Sequence, residues 1–272
     1  MNVQHLQGLD QGAIGPGLTR YYGAFTGSEV NSTENSVRSK MSAAGTVSLF
    51  GAYVSANDIG ASTTLRIRKN AGNGNSLLTV TATTPNSEWE DTSNTDALVD
   101  DDQVAMQMVT GAGGTGFQPE TTWHTFAPSS GTTQVLATHN SGTMSGTSDL
   151  YTNIAGAPAV TASVTIGNHQ LSVRAAGTFR NGMITLGNNS RSEDTTMRLA
   201  INGTPGNLAI THAAGATAQT EDVSNQDNVV ANDLVAWLWD QGGGTGSITN
   251  VHIQKLDFVP SGSTYLVLAA GP

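Results

Sequence analysis

A long internal repeat limits the folds open to this chain more than any other feature of its sequence. Residues 90–111 read EDTSNTDALVDDDQVAMQMVTG and residues 221–242 read EDVSNQDNVVANDLVAWLWDQG, so the segments align without a gap at an offset of 131. Ten of the aligned positions are identical, whereas chance would give about one or two at average residue usage. We therefore expect two homologous copies of one domain in tandem.

The similarity extends beyond this window in the N-terminal direction. Residues 63–67 (TTLRI) match residues 195–199 (TTMRL), and residues 43–46 match residues 175–178, since both read AAGT. The offset changes by one residue, and it does so in segments rich in Gly and Asn. Loops absorb such insertions, whereas a one-residue insertion in a strand turns its side chains to the wrong face.

The composition around residue 130 indicates where one copy ends and the next begins. Residues 128–131 read PSSG, which is typical of a linker. We predict an N-terminal domain of residues 1–128 that includes an N-terminal arm. We predict a C-terminal domain of residues 131–272 that ends in a strand extension.

Apolar residues that alternate with polar or small residues predict strands in both copies. Met106 and Met108 lie on one face of such a strand, and Trp237 and Trp239 take the same places in the second copy. Positions that stay large and apolar in both copies are expected to face the core. Further strands are predicted at residues 18–26, 46–54, 77–82, 179–186, 208–212 and 248–258. The only helical turn is predicted near residues 34–41.

The short strands are separated by turns rich in Gly, Asn and Asp. This spacing predicts an all-β fold of two tandem homologous jelly-roll-like antiparallel β-sandwich domains. In the strand at residues 248–258, strict alternation places Ile248 and Gln254 on one face and Val251 on the other. His124 and His252 lie in the last strand of each copy, and we expect both to face solvent.

Charge and composition exclude several classes of partner and site. The chain has 11 basic and 21 acidic residues, so its net charge is −10. Nucleic acids and anionic membranes need clustered basic residues, and no apolar run reaches the roughly 18 residues of a membrane span. There is no cysteine for a disulfide, a thiol nucleophile or a metal site. The first 17 residues lack the features of a secretory signal peptide. We expect no nucleic-acid partner and no membrane partner. We also expect the chain either to fold in a cytoplasm or to be exported by assembly into something larger.

An acidic cluster at Asp100, Asp101 and Asp102 could bind calcium through its carboxylate oxygens. The second copy reads Ala231-Asn232-Asp233 at the same place, so only the last Asp recurs. This favours a turn that leads into a strand, with the Asp side chain accepting hydrogen bonds from nearby backbone. Calcium binding remains the alternative interpretation.

The sequence lacks the motifs that identify common catalytic sites. There is no G-x-S-x-G elbow and no HExxH motif, and the Gly-rich residues 111–116 are expected to form a hairpin turn rather than a nucleotide loop. A glycosidase pair of carboxylates could be drawn from Glu88, Glu90, Glu193, Asp194 and Glu221. Trp89 and Trp123 are the aromatic candidates for an exposed sugar platform. We predict no enzyme activity and no catalytic, cofactor-binding or metal-binding residues.

Both ends of the chain are candidates for assembly contacts. Residues 264–270 form an apolar extension, which is expected to pair with a sheet because an exposed apolar strand would promote aggregation. Residues 7–17 form a Gly-rich arm that either orders on assembly or lies on the domain surface.

Three segments carry a resemblance to phage jelly-roll structural proteins. They are the strand opening at residues 43–47, the strand and turn at residues 63–72, and the strand and Gly-rich turn at residues 232–248. These segments are similar to those of the trimeric head decoration (cement) proteins of tailed phages. The resemblance implies a non-enzymatic virion protein on the capsid surface, made in the host cytoplasm. It also implies a homotrimer that binds the major capsid protein and stabilises the shell.

Two other functions are compatible with the same resemblance, which extends to some tail and fibre domains. A tail-fibre module would bind a receptor or glycan, with Trp89 or Trp123 in contact with it. A tailspike hydrolase domain would use a pair of the carboxylates named above.

Overall fold

The structure is a computed structural model. It describes residues 3–8, 12–25, 30–129, 134–154, 162, 164–262 and 269–270, with the backbone alone for residues 3–8, 134–142, 168 and 269–270. The secondary structure of these residues is almost entirely β, with 3₁₀ turns at Glu34–Ser36 and Ile166–Asn168. The strands pair in antiparallel sheets, which confirms the all-β prediction. No helix in the described part of the chain is long and apolar enough to cross a membrane.

The chain divides by its internal contacts into two compact units, Met1–Gly131 and Thr132–Pro272. The strands of the first unit are β1 (Val3–Gly8), β2 (Thr19–Gly23), β3 (Ser39–Lys40), β4 (Gly45–Ile59), β5 (Thr63–Lys69), β6 (Gly72–Val80), β7 (Ser87–Asp91), β8 (Asp96–Leu98), β9 (Gln103–Val109) and β10 (Gly114–Pro128). Sheet A has the order β1-β10-β4-β7, and β8 also pairs with β4. Sheet B has the order β2-β9-β5-β6, and β3 also pairs with β9.

The strand order of the second unit corresponds to that of the first, with one further strand, β20, at the edge of sheet D. Its strands are β11 (Gln134–Ser145), β12 (Leu150–Thr152), β13 (Leu171–Ser172), β14 (Gly177–Asn189), β15 (Thr195–Ile201), β16 (Thr204–His212), β17 (Thr220–Val229), β18 (Leu234–Asp240), β19 (Ser247–Pro260) and β20 (Ala269–Ala270). Sheet C has the order β11-β19-β14-β17, so that β17 takes the place of both β7 and β8. Sheet D has the order β16-β15-β18-β13-β20, and β12 also pairs with β18.

The core of each unit contains large apolar residues at matching positions of the sequence repeat. Trp237 and Trp239 on β18 are fully buried, as are Met106 and Met108 on β9, which confirms the predicted core face. The recurring AAGT segment has a packing reason as well. Gly45 lies against the ring of Phe126, as Gly177 lies against Phe258, and a Cβ at either glycine would overlap that ring.

Strict alternation is wrong for β19. Asn250 has a positive φ of 56°, and the pairing with β11 shifts register between Thr249 and Val251. The pairing with β14 shifts register between Val251 and Ile253. These irregularities move Val251 to the core side, where it packs in the same cluster as Ile248, Leu256 and Phe258. A β-bulge shifts side chains in this way because it inserts an unpaired residue into one strand.

The predicted assembly segments lie only partly within the described residues. Of the extension at residues 264–270, the structure describes Ala269–Ala270, which pairs with β13. Of the arm at residues 7–17, residues 9–11 lie outside the described ranges. Farther along the arm, the backbone of Ile14 pairs with that of Phe117. The helical turn predicted near residues 34–41 is limited to the 3₁₀ turn at Glu34–Ser36.

Two aspartates of sheet A bind the edge of sheet B in the first unit. β6 is the edge strand of sheet B, so the backbone N–H groups on its outer side have no strand to pair with. Asp91 accepts a hydrogen bond from the N–H of Leu77 at 2.9 Å. Asp96 accepts the N–H groups of Asn75 and Ser76 at 2.6 and 3.0 Å. Both carboxylates are buried, and they link the two sheets.

The second unit repeats these bonds with its own residues. Asp222 accepts the N–H of Ala209 at 2.8 Å, and Asp227 accepts those of Asn207 and Leu208 at 2.7 and 3.0 Å. We call Asp91, Asp96, Asp222 and Asp227 the cross-sheet aspartates. They occupy identical positions in the sequence repeat, so this bonding explains why the motif ED-x-SN-x-D recurs.

The hydrogen bonds around two of the cross-sheet aspartates also change their acidity. Burial alone would raise the pKa of Asp91, but hydrogen bonds from Leu77, Asn94 and Ser93 outweigh burial and lower the pKa below its usual value. The pKa of Asp222 is lowered against burial by the corresponding bonds in the second unit. A carboxylate that accepts several N–H bonds is stabilised in its charged form.

Replacing either of these two aspartates by asparagine is expected to destabilise its unit. Asp91→Asn or Asp222→Asn should lower the free energy of unfolding by about 2 kcal/mol. The charge is lost, and the NH₂ group of Asn cannot accept the N–H hydrogen bonds that the carboxylate oxygen accepts. Urea unfolding followed by circular dichroism measures this change.

The matched control is Asp100→Asn, which removes an exposed carboxylate from the same unit. This variant should unfold at nearly the wild-type urea concentration. Equal midpoints for Asp91→Asn and Asp100→Asn would show that the cross-sheet bonds contribute little.

Candidate functional site

The acidic cluster forms the turn between β8 and β9. Asp102 accepts a hydrogen bond from the N–H of Val99 at 2.8 Å and another from the side chain of Asn70 at 2.5 Å. Asp101 forms an ion pair with Lys40 at 2.9 Å. The carboxylates of Asp101 and Asp102 are thus engaged by groups of the chain itself.

The corresponding turn of the second unit forms without the extra acidic residues. Asp233 accepts the N–H of Val230 at 2.8 Å and the side chain of Asn202 at 2.7 Å. The same bonds in both turns confirm the turn interpretation of the recurring Asp. Within the described residues, no group of three or more His, Asp or Glu side chains is placed to hold a metal ion.

The histidines differ from the prediction. His124 is 3% exposed and packs edge-on against Phe25, with 4.9 Å between ring centroids, so the expectation that it faces solvent was wrong. It lies on the core side of β10, together with Phe126. His252 is half-buried on β19. His169 and His212 are buried, and their Nδ1 atoms lie 3.0 Å from Asn153 Oδ1 and 2.8 Å from Thr220 Oγ1.

The structure brings few of the candidate carboxylates together. Glu88 and Glu90 lie on one face of β7 and are exposed. Glu193 and Asp194 precede β15, and Asp194 accepts the N–H of Ala214 at 2.9 Å. Glu221 lies on β17, at the position that corresponds to Glu90.

The Gly-rich residues 111–116 do not form the predicted hairpin turn. Residues 111–113 lead from β9 in sheet B to β10 in sheet A, and residues 114–116 are the first residues of β10. The segment therefore connects two sheets instead of two paired strands. The N–H of Gly111 lies 3.3 Å from the hydroxyl of Thr63, which fixes the start of this connection to β5.

Trp89 and Trp123 lie on opposite faces of sheet A, and both are half-buried. Trp89 lies opposite Ala52, which is fully buried, and its Nε1–H donates to the hydroxyl of Ser87 at 2.8 Å. Trp89 therefore lies on the core-facing side of sheet A, on the strand β7 at the edge of the sheet. Trp123 lies opposite Gly51 on the outer face of the sheet.

The indole of Trp123 lies directly over Gly51. A Cβ at residue 51 would overlap three atoms of the ring, so only glycine admits this packing. The Nε1–H of Trp123 donates to Glu90 Oε1 at 3.2 Å, which fixes the ring across β4 towards β7. A glycine in the middle of a strand marks close approach of another group. Gly51 was therefore a sequence signal that could have located the packing site of Trp123.

The second unit has different residues at the matching place. Lys255 lies opposite Met183, as Trp123 lies opposite Gly51. Lys255 is buried and forms an ion pair with buried Asp257 at 3.3 Å. Asp257 also accepts a hydrogen bond from the side chain of Asn181 at 3.0 Å. The fold thus requires neither arrangement, because each unit holds its strands together with a different one.

Comparison of the chain with protein-family models and with curated proteins finds no match. The first unit presents an outer face with Trp123 and exposed carboxylates, whereas the second unit has a buried ion pair in the matching place.

Removing one partner of the buried ion pair is expected to destabilise the second unit. Lys255→Met should lower the free energy of unfolding by about 3 kcal/mol, because it leaves the Asp257 carboxylate buried without its counter-ion. The double variant Lys255→Met with Asp257→Leu should recover at least half of this loss, since it buries no charge. Urea unfolding of the single and double variants measures both effects.

Lys69→Met provides the control for that comparison. Lys69 is 41% exposed at its side chain and lies 3.8 Å from Asp102, so its loss should cost less than about 1 kcal/mol. A Lys255→Met variant as stable as Lys69→Met would contradict the assignment of a stabilising buried pair.

Acidification below neutral pH is expected to destabilise the chain through His169 and His212. Burial lowers the pKa of both imidazoles, although a backbone hydrogen bond with Ala216 partly opposes this at His212. The folded state therefore favours the neutral form. Its stability is complete above the unfolded pKa of about 6.5 and falls as the pH drops below that value. Thermal melts between pH 7.5 and 5.5 should show this loss.

The variant with both His169→Gln and His212→Gln should show a flatter pH dependence over the same range. An unchanged slope in the double variant would rule out these two histidines as its cause.

Proposed function

We propose that the chain is a non-enzymatic virion protein that decorates the capsid of a tailed phage and stabilises its shell. In this proposal the two units are tandem homologous jelly-roll-like β-sandwiches, the protein is a homotrimer, and its partner is the major capsid protein. The sequence resemblance to phage decoration proteins is the origin of the proposal.

One structural observation carries the proposal further. Many of the residues that the two copies share are accounted for by contacts within each unit: the cross-sheet aspartates, the Asp102 and Asp233 turns, and the glycines under Phe126 and Phe258. What the repeat retains is therefore a rigid framework. Rigid partners lose little conformational entropy on docking, which suits a protein that binds a particle over wide surfaces.

Binding to shells tests this function directly. The purified chain should be a trimer by light scattering, should add to undecorated shells of its own phage, and should raise their melting temperature. Shells of an unrelated phage serve as the control and should neither bind the chain nor melt at a higher temperature. A monomer that leaves the melting of its own shells unchanged would overturn the proposal.

The competing functions predict different results with the same purified protein. A tail-fibre module would bind cell-surface polysaccharide or another receptor saturably and would not add to shells. A tailspike hydrolase domain would release new sugar ends from polysaccharide, and a Glu90→Gln variant would lose that activity if Glu90 were one of its carboxylates.

A further inference from the structure

The strands of sheet A have an unusual charge composition. β1, β4, β7, β8 and β10 contain no lysine or arginine, while they contain six of the acidic residues of the chain. By contrast, the strands of sheet B contain Arg20, Lys40, Arg66, Arg68 and Lys69. The basic residues in the strands of the first unit are thus confined to one of its two sheets.

Two aromatic and two acidic residues share the outer face of sheet A. Trp123 lies opposite Gly51, which lies opposite Glu90 on the next strand. In the neighbouring row, Tyr53 lies opposite Glu88. Residues directly opposite each other on neighbouring strands share a face, and so do residues two apart on one strand. We call Tyr53, Glu88, Glu90 and Trp123 the acidic aromatic face.

This face is accessible from solvent. Glu88 and Glu90 are exposed, and Tyr53 and Trp123 are half-buried. The carboxylate of Glu90 binds the indole N–H of Trp123 through one oxygen, which orients the ring beside the two charges. The contact between the Tyr53 hydroxyl and Asn86 is long, at 3.5 Å, so the phenol is held only weakly from that side.

The chemistry of this face matches a cation. The π-faces of Trp and Tyr attract guanidinium and ammonium groups, with Trp the strongest. Two neighbouring carboxylates add Coulomb attraction and can accept the N–H groups of an arginine. A neutral sugar could stack on the indole and donate hydroxyl hydrogen bonds to the carboxylates, but it carries no positive charge for them to attract. The complementary charge therefore favours a basic partner over a glycan.

We propose that the acidic aromatic face binds a basic segment of a partner protein, with an arginine side chain over Trp123 and beside Glu88 and Glu90. This inference does not depend on the proposed capsid function, since it concerns the first unit alone. The matching place of the second unit lacks this arrangement, because Lys255 and Met183 take the places of Trp123 and Gly51.

The test uses the full chain with ¹⁵N-labelled tryptophan side chains at 150 mM salt. The probe is the peptide acetyl-Gly-Arg-Gly-Arg-Gly-amide, and its uncharged counterpart has citrulline in place of arginine. The indole N–H signal of Trp123, assigned by its absence in Trp123→Phe, should shift saturably with the arginine peptide and stay in place with the citrulline peptide. The signal of Trp89 should change little, because Trp89 lies on the opposite side of sheet A.

Two variants of equal charge separate this site from general attraction to an acidic protein. Glu88→Gln with Glu90→Gln keeps the side-chain shape and should weaken binding about fivefold, the loss expected for two exposed ion pairs. Asp100→Asn with Glu193→Gln removes two exposed carboxylates elsewhere and should change binding less than about twofold. All of these acidic side chains are exposed, so both variants are expected to fold.

Three results would overturn the proposal. The two variants could weaken binding equally, which would indicate charge without a site. The Trp123 signal could shift with a neutral oligosaccharide and not with the arginine peptide, which would indicate a glycan site. The third result is no shift of the Trp123 signal with either ligand, which would show that the face does not bind a basic segment.

Discussion

Both units depend on one interaction, in which buried carboxylates bind the open edge of a sheet. β6 and β16 are edge strands, and an unpaired edge exposes N–H groups that can pair with other chains. The cross-sheet aspartates occupy these groups from the neighbouring sheet of the same unit. The same hydrogen bonds therefore provide acceptors for N–H groups on the open edge of one sheet and join that sheet to its neighbour.

The two copies differ in some residues and share others, and the shared residues include those that hold the fold together. Many residues shared by both copies hold sheets and turns together, as the cross-sheet aspartates do. Residues that differ at matching positions are free to serve another purpose, as Trp123 and Lys255 illustrate. Because the second unit keeps the same sheets without Trp123 and Gly51, these two residues on the outer face of sheet A are not required by the fold.

Much of the framework could be predicted from the sequence, because period-two patterns and a repeat of 131 residues are local signals. The burial of Trp237 and Trp239 followed from them. The bulge at Asn250 could not be predicted in this way, since alternation assumes an unbroken strand. The partners of Asp91 and Asp96 lie in another sheet, and the burial of Lys255 depends on tertiary packing. Sequence spacing does not encode such contacts.

Hydrogen exchange at the edge strands tests the role of the cross-sheet aspartates most directly. The amides of Ser76, Leu77, Leu208 and Ala209 donate to the carboxylates of the cross-sheet aspartates. If the cross-sheet aspartates hold the sheets together, these amides should exchange as slowly as those of the central strands β9 and β18. Exchange as fast as that of exposed loop amides would contradict the account.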